Sequence, residues 1–200
     1  MRLKVGNGSW TLKRTSASGP GLFLCCLILS CQNTTIPESE SIFPLSPGSS
    51  WQFSPGGRDS ILDAVKIDGR CYSQFLTSPV GLGPPFLREH EKDQVFFWNG
   101  QREQLLLDFS AAVRDSWGID LEYETFAIHY TVTLVSKLTK VATRAGEFDH
   151  CFRFDFTSTD VIDGNWIVVV APGTGVVLRK GGFGFTIELE SYAISRKGGC

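Results

Sequence analysis

Two stretches of this chain place a large apolar side chain at every second position. Phe152, Phe154 and Phe156 alternate with Arg153 and Asp155, and Phe183, Phe185, Ile187 and Leu189 alternate with Gly184, Thr186 and Glu188. A period of two is the repeat of an extended strand, whose successive side chains point to opposite sheet faces. Each stretch therefore buries one row and exposes the other. Residues 121–135 concentrate Tyr, Thr, Val, Ile and Phe, which suit a pleated, half-buried surface. Residues 103–109 and 165–171 are shorter apolar runs, expected as more fully buried strands. No sustained helical period follows residue 42, and 109–117 has room for one helical turn at most.

Turn dipeptides separate these runs: Asp68-Gly69, Asn99-Gly100, Asp163-Gly164, Pro172-Gly173 and Gly181-Gly182. Tight turns of this kind join antiparallel neighbours. Residues 79–86 hold Pro79, Pro84 and Pro85, which bars a central strand and makes the stretch a loop. The expected fold is mainly β: a curved antiparallel sheet, closing as a partial barrel or a sandwich. With 15 Phe, 5 Trp and 4 Tyr in 200 residues, the chain carries enough bulky apolar material for one core.

The two halves also look alike. Trp51, Cys71, Trp98 and Leu105–Leu107 follow one another in the first, and Trp117, Cys151, Trp166 and Val176–Leu178 in the second. Spacings differ, so the similarity is loose. It suggests two similar meanders in one continuous sheet, or chance likeness among hairpins.

Charge is unevenly distributed. Residues 1–30 carry Arg2, Lys4, Lys13 and Arg14 and no acid, which leaves 15 Lys and Arg against 21 Asp and Glu in the remainder, a net −6. An acidic body without a cluster of Lys and Arg excludes nucleic acid as a partner.

The basic start leads into an apolar run, Gly21 to Leu29, closed by Ser30. It falls far short of the roughly 20 residues that span a bilayer. A basic flank, a short apolar run and a small residue at its end describe a secretory signal peptide. The string Ile28-Leu29-Ser30-Cys31 resembles the lipobox of bacterial lipoproteins. That resemblance implies cleavage before Cys31 and a diacylglyceryl group on its thiol, giving a stable lipid anchor in the membrane. A plain cleaved signal with Cys31 unmodified and a buried strand are the other readings. Gln32, by resemblance to the sorting pattern of enteric lipoproteins, points to the outer membrane. Polar residues 32–41 read as a tether. The expected organisation is a signal peptide over 1–30, lipidated Cys31 and tether over 31–41, one β domain over 42–195 and a tail over 196–200. The protein is expected to be exported, membrane-anchored and periplasm-facing.

Cys25 and Cys26 leave with the signal peptide, and Cys200 ends the chain. Cys71 and Cys151 remain in the domain. An exported domain meets an oxidising compartment, so a Cys71–Cys151 disulfide is one reading. Two buried free thiols are the other.

Several segments together resemble a broad group of uncharacterised bacterial lipoproteins and secreted proteins. These are Phe43-Pro44-Leu45 with Gly48 and Trp51, then Leu106-Leu107-Asp108-Phe109, then Gly146-Glu147-Phe148-Asp149-His150-Cys151, then Ala171-Pro172-Gly173-Thr174-Gly175-Val176-Val177. The resemblance implies a β-rich exported domain and supplies no activity.

No catalytic residue, metal ligand or cofactor site is assigned. Gly173 and Gly175 lack the helix and downstream acid of a dinucleotide fingerprint and the Lys of a P-loop. They read as a corner that only glycine fits. Glu147, Asp149 and His150 could share an ion only in a loop, because neighbours on a strand diverge. No Gly-x-Ser-x-Gly elbow occurs, and His90 and His129 have no patterned partners. Trp51, Trp98, Trp117 and Trp166 are either core or the lining of an apolar concavity. The function expected is a non-catalytic envelope lipoprotein, a structural or interaction module. The alternative is a carrier of a hydrophobic ligand in a β half-barrel.

Overall fold

A computed structural model describes residues 41–198 apart from 78–85, 92, 123–125 and 163. The expected signal peptide, Cys31, nearly all of the tether and Cys200 lie outside the described residues. Twelve strands follow in chain order: β1 (Ser50–Ser54), β2 (Gly57–Ile67), β3 (Arg70–Phe75), β4 (Phe86–His90), β5 (Gln94–Trp98), β6 (Glu103–Asp108), β7 (Ser116–Glu122), β8 (Ala127–Thr143), β9 (Gly146–Thr157), β10 (Trp166–Ala171), β11 (Gly175–Lys180) and β12 (Thr186–Ala193). A single 3-10 turn, Gly182–Gly184, is the one helical piece among the described residues.

All twelve strands form one antiparallel sheet in the order β6-β5-β4-β3-β2-β1-β12-β11-β10-β9-β8-β7. Strands β1–β6 make one meander and β7–β12 another, joined where β1 pairs with β12. The expected mainly β fold is therefore what the chain adopts. Tight turns do the joining. Asp68 and Gly69 both have positive φ, 48° and 77°, as a type I′ hairpin requires. At the β5–β6 turn, Asn99 Oδ1 accepts from the N–H groups of Gln101 and Arg102, and Gly100 takes φ 105°.

The sheet rolls until its edges, β6 and β7, lie side by side. Side chains complete the seam. Gln104 Nε2 donates to the Asp120 carbonyl (2.9 Å) and its Oε1 accepts from the Asp120 N–H (2.8 Å). One side-chain amide thus stands in for a peptide group of a missing ladder. Arg102 Nη2 reaches Asp120 Oδ2 at 2.6 Å, and Asn99 Nδ2 reaches Glu122 Oε1 at 3.1 Å. Edges satisfied in this way no longer template another chain's strand.

Inside the roll the alternating rows meet. Phe154 and Phe156 are fully buried, and Phe152 packs against the same core. Phe109 stands edge-on to Phe152 and Phe154, with centroids 4.9 and 5.5 Å away. The second predicted row is only partly right. Strand β12 begins at Thr186, because 182–184 turn as a 3-10 unit and Gly184 takes φ 74°. Ile187 and Leu189 face the core, whereas Phe185 is exposed. Residues 109–117 form no helix; Asp108 Oδ1 instead caps the turn by accepting from the N–H groups of Ser110 and Ala111.

The internal similarity holds in half of its pairs. Trp51 and Trp117 both lie in the first strand of their meanders, and Cys71 and Cys151 in the third. Trp98 ends the fifth strand of its meander whereas Trp166 begins the fourth, and Leu105–Leu107 fall in the sixth whereas Val176–Leu178 fall in the fifth. Apolar alternation recurs on every strand, so it cannot tell one strand from the next.

Candidate functional site

Two of the segments that stood out in sequence, those around Phe43–Trp51 and Ala171–Val177, converge at one pole of the barrel. Chain entering at Ser41 crosses that pole and seats Phe43 in the core at 1% exposure. Backbone and hydroxyl bonds hold it there. The Gly173 N–H donates to the Ile42 carbonyl at 3.0 Å. Ser73 Oγ donates to the Leu45 carbonyl at 2.5 Å, and Ser41 Oγ donates to Glu89 Oε1 at 2.7 Å. Gly48, at φ 88°, turns the chain so that its N–H meets the Ile61 carbonyl.

Trp51 follows as the second residue of β1 and the first of that strand to point inward. Its indole Nε1 donates to the Thr174 carbonyl at 2.6 Å, and its ring stacks on Phe75 with centroids 6.0 Å apart. Gly173 and Gly175, at φ 70° and 94°, shape the β10–β11 turn that offers this carbonyl. A Cβ on Gly175 would sit 3.4 Å from the indole nitrogen. The turn's N–H groups are committed: that of Gly173 to Ile42 and that of Thr174 to the Ala171 carbonyl. The Phe-Pro-Leu…Gly…Trp and Ala-Pro-Gly-x-Gly segments are therefore two halves of one closure, with bonding groups turned toward each other.

The Gly146–Cys151 segment has a different task. Strands β8 and β9 extend beyond the barrel as a hairpin arm whose register shifts three times. At its tip, the Ala145 N–H donates to the Leu189 carbonyl (3.1 Å) and Arg144 Nη1 meets Glu190 Oε1 at 2.7 Å. Phe148 packs near Tyr192, 6.3 Å between centroids. Asp149 is paired with Lys140 at 3.1 Å, and His150 takes φ 56° and is exposed.

Cys151 is a free thiol with no exposed surface, so the Cys71–Cys151 disulfide is not formed. The reason is topological. Cys71 lies in β3 and Cys151 in β9, with β2, β1, β12, β11 and β10 between them in the sheet. A disulfide needs Cα atoms within about 7 Å. Burial, reinforced by the nearby Asp149 charge, pushes the Cys151 thiol up to about 11. The thiolate is the reactive form. Iodoacetamide at pH 8 is therefore expected to leave Cys151 unlabelled in the folded protein and to label it in guanidinium, read by mass mapping of the peptide that contains it.

The tryptophans do not gather. Trp51 is buried at the closure pole. Trp117 packs edge-on to Phe154 from β7, 6.3 Å between centroids. Trp98 stands over Tyr72 on the outside of the first meander, and Trp166 lies against Phe185 near the opposite pole, 5.5 Å between centroids. Sequence reasoning had no means of separating these positions, because each Trp lies at or next to a strand end in a similar apolar context.

Three polar clusters escaped notice in the sequence. On the outside of the first meander, Glu103 takes two bonds from Arg88 (2.7 and 2.9 Å) and one each from Arg70 and Tyr72. Burial alone would raise its carboxyl; the bonds from Arg88 and Tyr72 and the Arg88 and Arg70 charges hold it below the usual range. On β7 and β8, Asp120 Oδ1 lies 2.9 Å from His129 Nδ1, and that bond, with the His129 and Arg102 charges, keeps the Asp120 carboxyl low against slight burial. The third lies inside the barrel. Asp59 and Arg179 are 3% and 6% exposed, with Oδ2 and Nη2 3.7 Å apart. The Arg179 guanidinium carbon lies 4.5 Å above the Phe53 ring centre, and Thr77 Oγ1 donates to Asp59 Oδ1.

No protein-family model matches the chain, and no curated protein does. Among solved structures it is similar to the crystal structure of a "putative lipoprotein" from Parabacteroides distasonis, at 13% identity across 77% of this chain and 99% of that one, with a TM-score of 0.38.

Proposed function

We propose that this chain is a non-catalytic lipoprotein of the bacterial cell envelope, anchored through lipid on Cys31 and presenting its barrel as a structural or interaction module. The observation that carries the reading is the string Ile28-Leu29-Ser30-Cys31 behind an apolar run too short to span a bilayer. The first strand of the barrel begins at Ser50, nineteen residues later, which leaves room for a tether. Its packing fits a role without chemistry. The glycine-rich turn is bonded to the entry segment, and the Asp59–Arg179 pair is buried, with the guanidinium over the Phe53 ring. A hydrophobic-ligand carrier would need an apolar hollow inside the barrel. The inward residues Trp51, Phe75, Phe97, Phe154 and Phe156 are each at most 3% exposed, which favours a filled core over such a hollow.

Cys31→Ser tests the anchor. The wild type is expected in the membrane fraction carrying metabolically incorporated palmitate. The variant is expected to lose the label and leave that fraction. A variant that stays in the membrane with no lipid on the wild type would remove the proposal.

A further inference from the structure

Cys71 is disulfide-bonded, whereas Cys151 is a free, buried thiol. The chain has six cysteines, so within it the partner of Cys71 is Cys25, Cys26, Cys31 or Cys200. Where Cys71 points narrows the choice. It is the second residue of β3, and alternation puts Ser73 and Phe75 on its face. That face is the inward one, because Phe75 belongs to the core. Ser73 pairs with Leu87 of β4, and continuing this antiparallel register sets Cys71 opposite Glu89. The cysteine therefore stands at the closure pole, beside the carboxylate that takes the Ser41 hydroxyl bond.

The C-terminal tail arrives at the same place. The Ser195 N–H donates to Ser49 Oγ at 3.0 Å. Ser195 and Arg196 line one hollow together with Ser41, Pro44 and Ser46. Ser41 thus touches Glu89 on one side and shares this hollow with the tail on the other. Four residues of chain lead from Arg196 to Cys200, a reach of up to about 13–14 Å when extended. Neighbouring strands, such as those that carry Cys71 and Glu89, lie ~4.8 Å apart. The tail is long enough to bring Cys200 to Cys71.

The other three cysteines are committed on the lipoprotein reading. Cys25 and Cys26 fall in the signal peptide, and lipid on Cys31 occupies the sulfur that a disulfide needs. That exclusion rests on the lipid reading; the path of the tail does not. We infer that Cys71 and Cys200 form a disulfide that ties the end of the chain over the closure pole, linking the first meander to the tail that follows β12. An exported chain meets the oxidising conditions this requires. Formation is an exchange with an envelope thiol–disulfide oxidoreductase. One cysteine thiolate attacks the oxidoreductase's S–S bond and displaces one of its sulfurs. The second thiolate attacks the resulting mixed disulfide and displaces the other. The Cys71–Cys200 bond forms, the oxidoreductase's bond breaks, and two electrons and two protons pass to its thiols.

The test purifies the exported full chain without reductant, alkylates it with iodoacetamide in guanidinium, digests it with trypsin and maps the peptides by mass. Cleavage after Arg70, Arg88 and Lys197 places Cys71 and Cys200 on peptides 71–88 and 198–200. The expected result is a linked species of these two peptides that dithiothreitol splits, with Cys151 alkylated. Cys200→Ser should remove the linked species and leave Cys71 alkylated. Peptide 71–88 recovered alkylated from the wild type, or linked to a peptide that carries Cys25, Cys26 or Cys31, overturns the inference. The lipid is read separately. The expected linkage on a chain without lipid at Cys31 removes only the anchor, and a lipidated Cys31 with Cys71 unlinked removes only the bridge.

Discussion

Replacing Arg179 with Met is expected to cost the fold about 3–5 kcal/mol, the penalty for leaving a buried charge without its partner. Asp59 would remain at 3% exposure with only the Thr77 hydroxyl to stabilise it. The double variant Asp59→Asn, Arg179→Met should recover most of that loss, because a buried ion pair contributes little over a neutral pair of similar shape. Urea titration followed by tryptophan fluorescence measures both. A single-variant loss under about 1 kcal/mol would mean that water reaches Asp59.

The same pair sets a pH dependence. Burial raises the Asp59 carboxyl, against the opposing Thr77 bond and Arg179 charge. A raised folded-state value means that the folded chain holds this proton more tightly than the unfolded one. The cost of ionising Asp59 is therefore absent below the ordinary carboxylate value near ~3.9. It is complete above the raised folded value. Arg179→Met removes the charge that holds the value down, so the variant's deficit should shrink as the pH falls through that window.

Trp51→Ala should cost about 3–5 kcal/mol, as large-to-small changes of buried aromatics do. Three losses coincide there. The ring leaves a void beside Phe75, the Thr174 carbonyl loses its donor, and the β10–β11 turn loses the surface against which Gly175 is fitted. Trp51→Phe separates these effects. It keeps most of the volume and should lose about 1–3 kcal/mol for the unsatisfied carbonyl. If the Phe and Ala variants prove equally unstable in denaturant melts, the hydrogen bond outweighs the packing.

Particular residues show how far the sequence could be read. Phe152, Phe154 and Phe156 were legible as one buried row, since alternation has a single meaning in an antiparallel sheet with one wet face. The Asp68-Gly69 turn was legible because few residue pairs accept two positive φ angles. The Phe183–Leu189 row was misjudged at its start. Gly182 and Gly184 flank Phe183 and let the backbone turn before the strand begins, so two periods of alternation preceded the strand itself. Asp59 and Arg179 left no trace. Each stands next to another charged residue in its own strand, Arg58 and Lys180, the two lie 120 positions apart, and only the joining of β1 to β12 brings their strands to the same interior.

Local chemistry by itself determined the strands, most of the turns and the glycine corner at 173–175, because side-chain alternation and φ preference act over two to four residues. Tertiary structure decided everything that depends on which strands become neighbours: the Gln104 seam, the Asp59–Arg179 pair, and the isolation of Cys151 from Cys71. Strand pairing is set by the summed burial of both meanders, a quantity that no single segment carries.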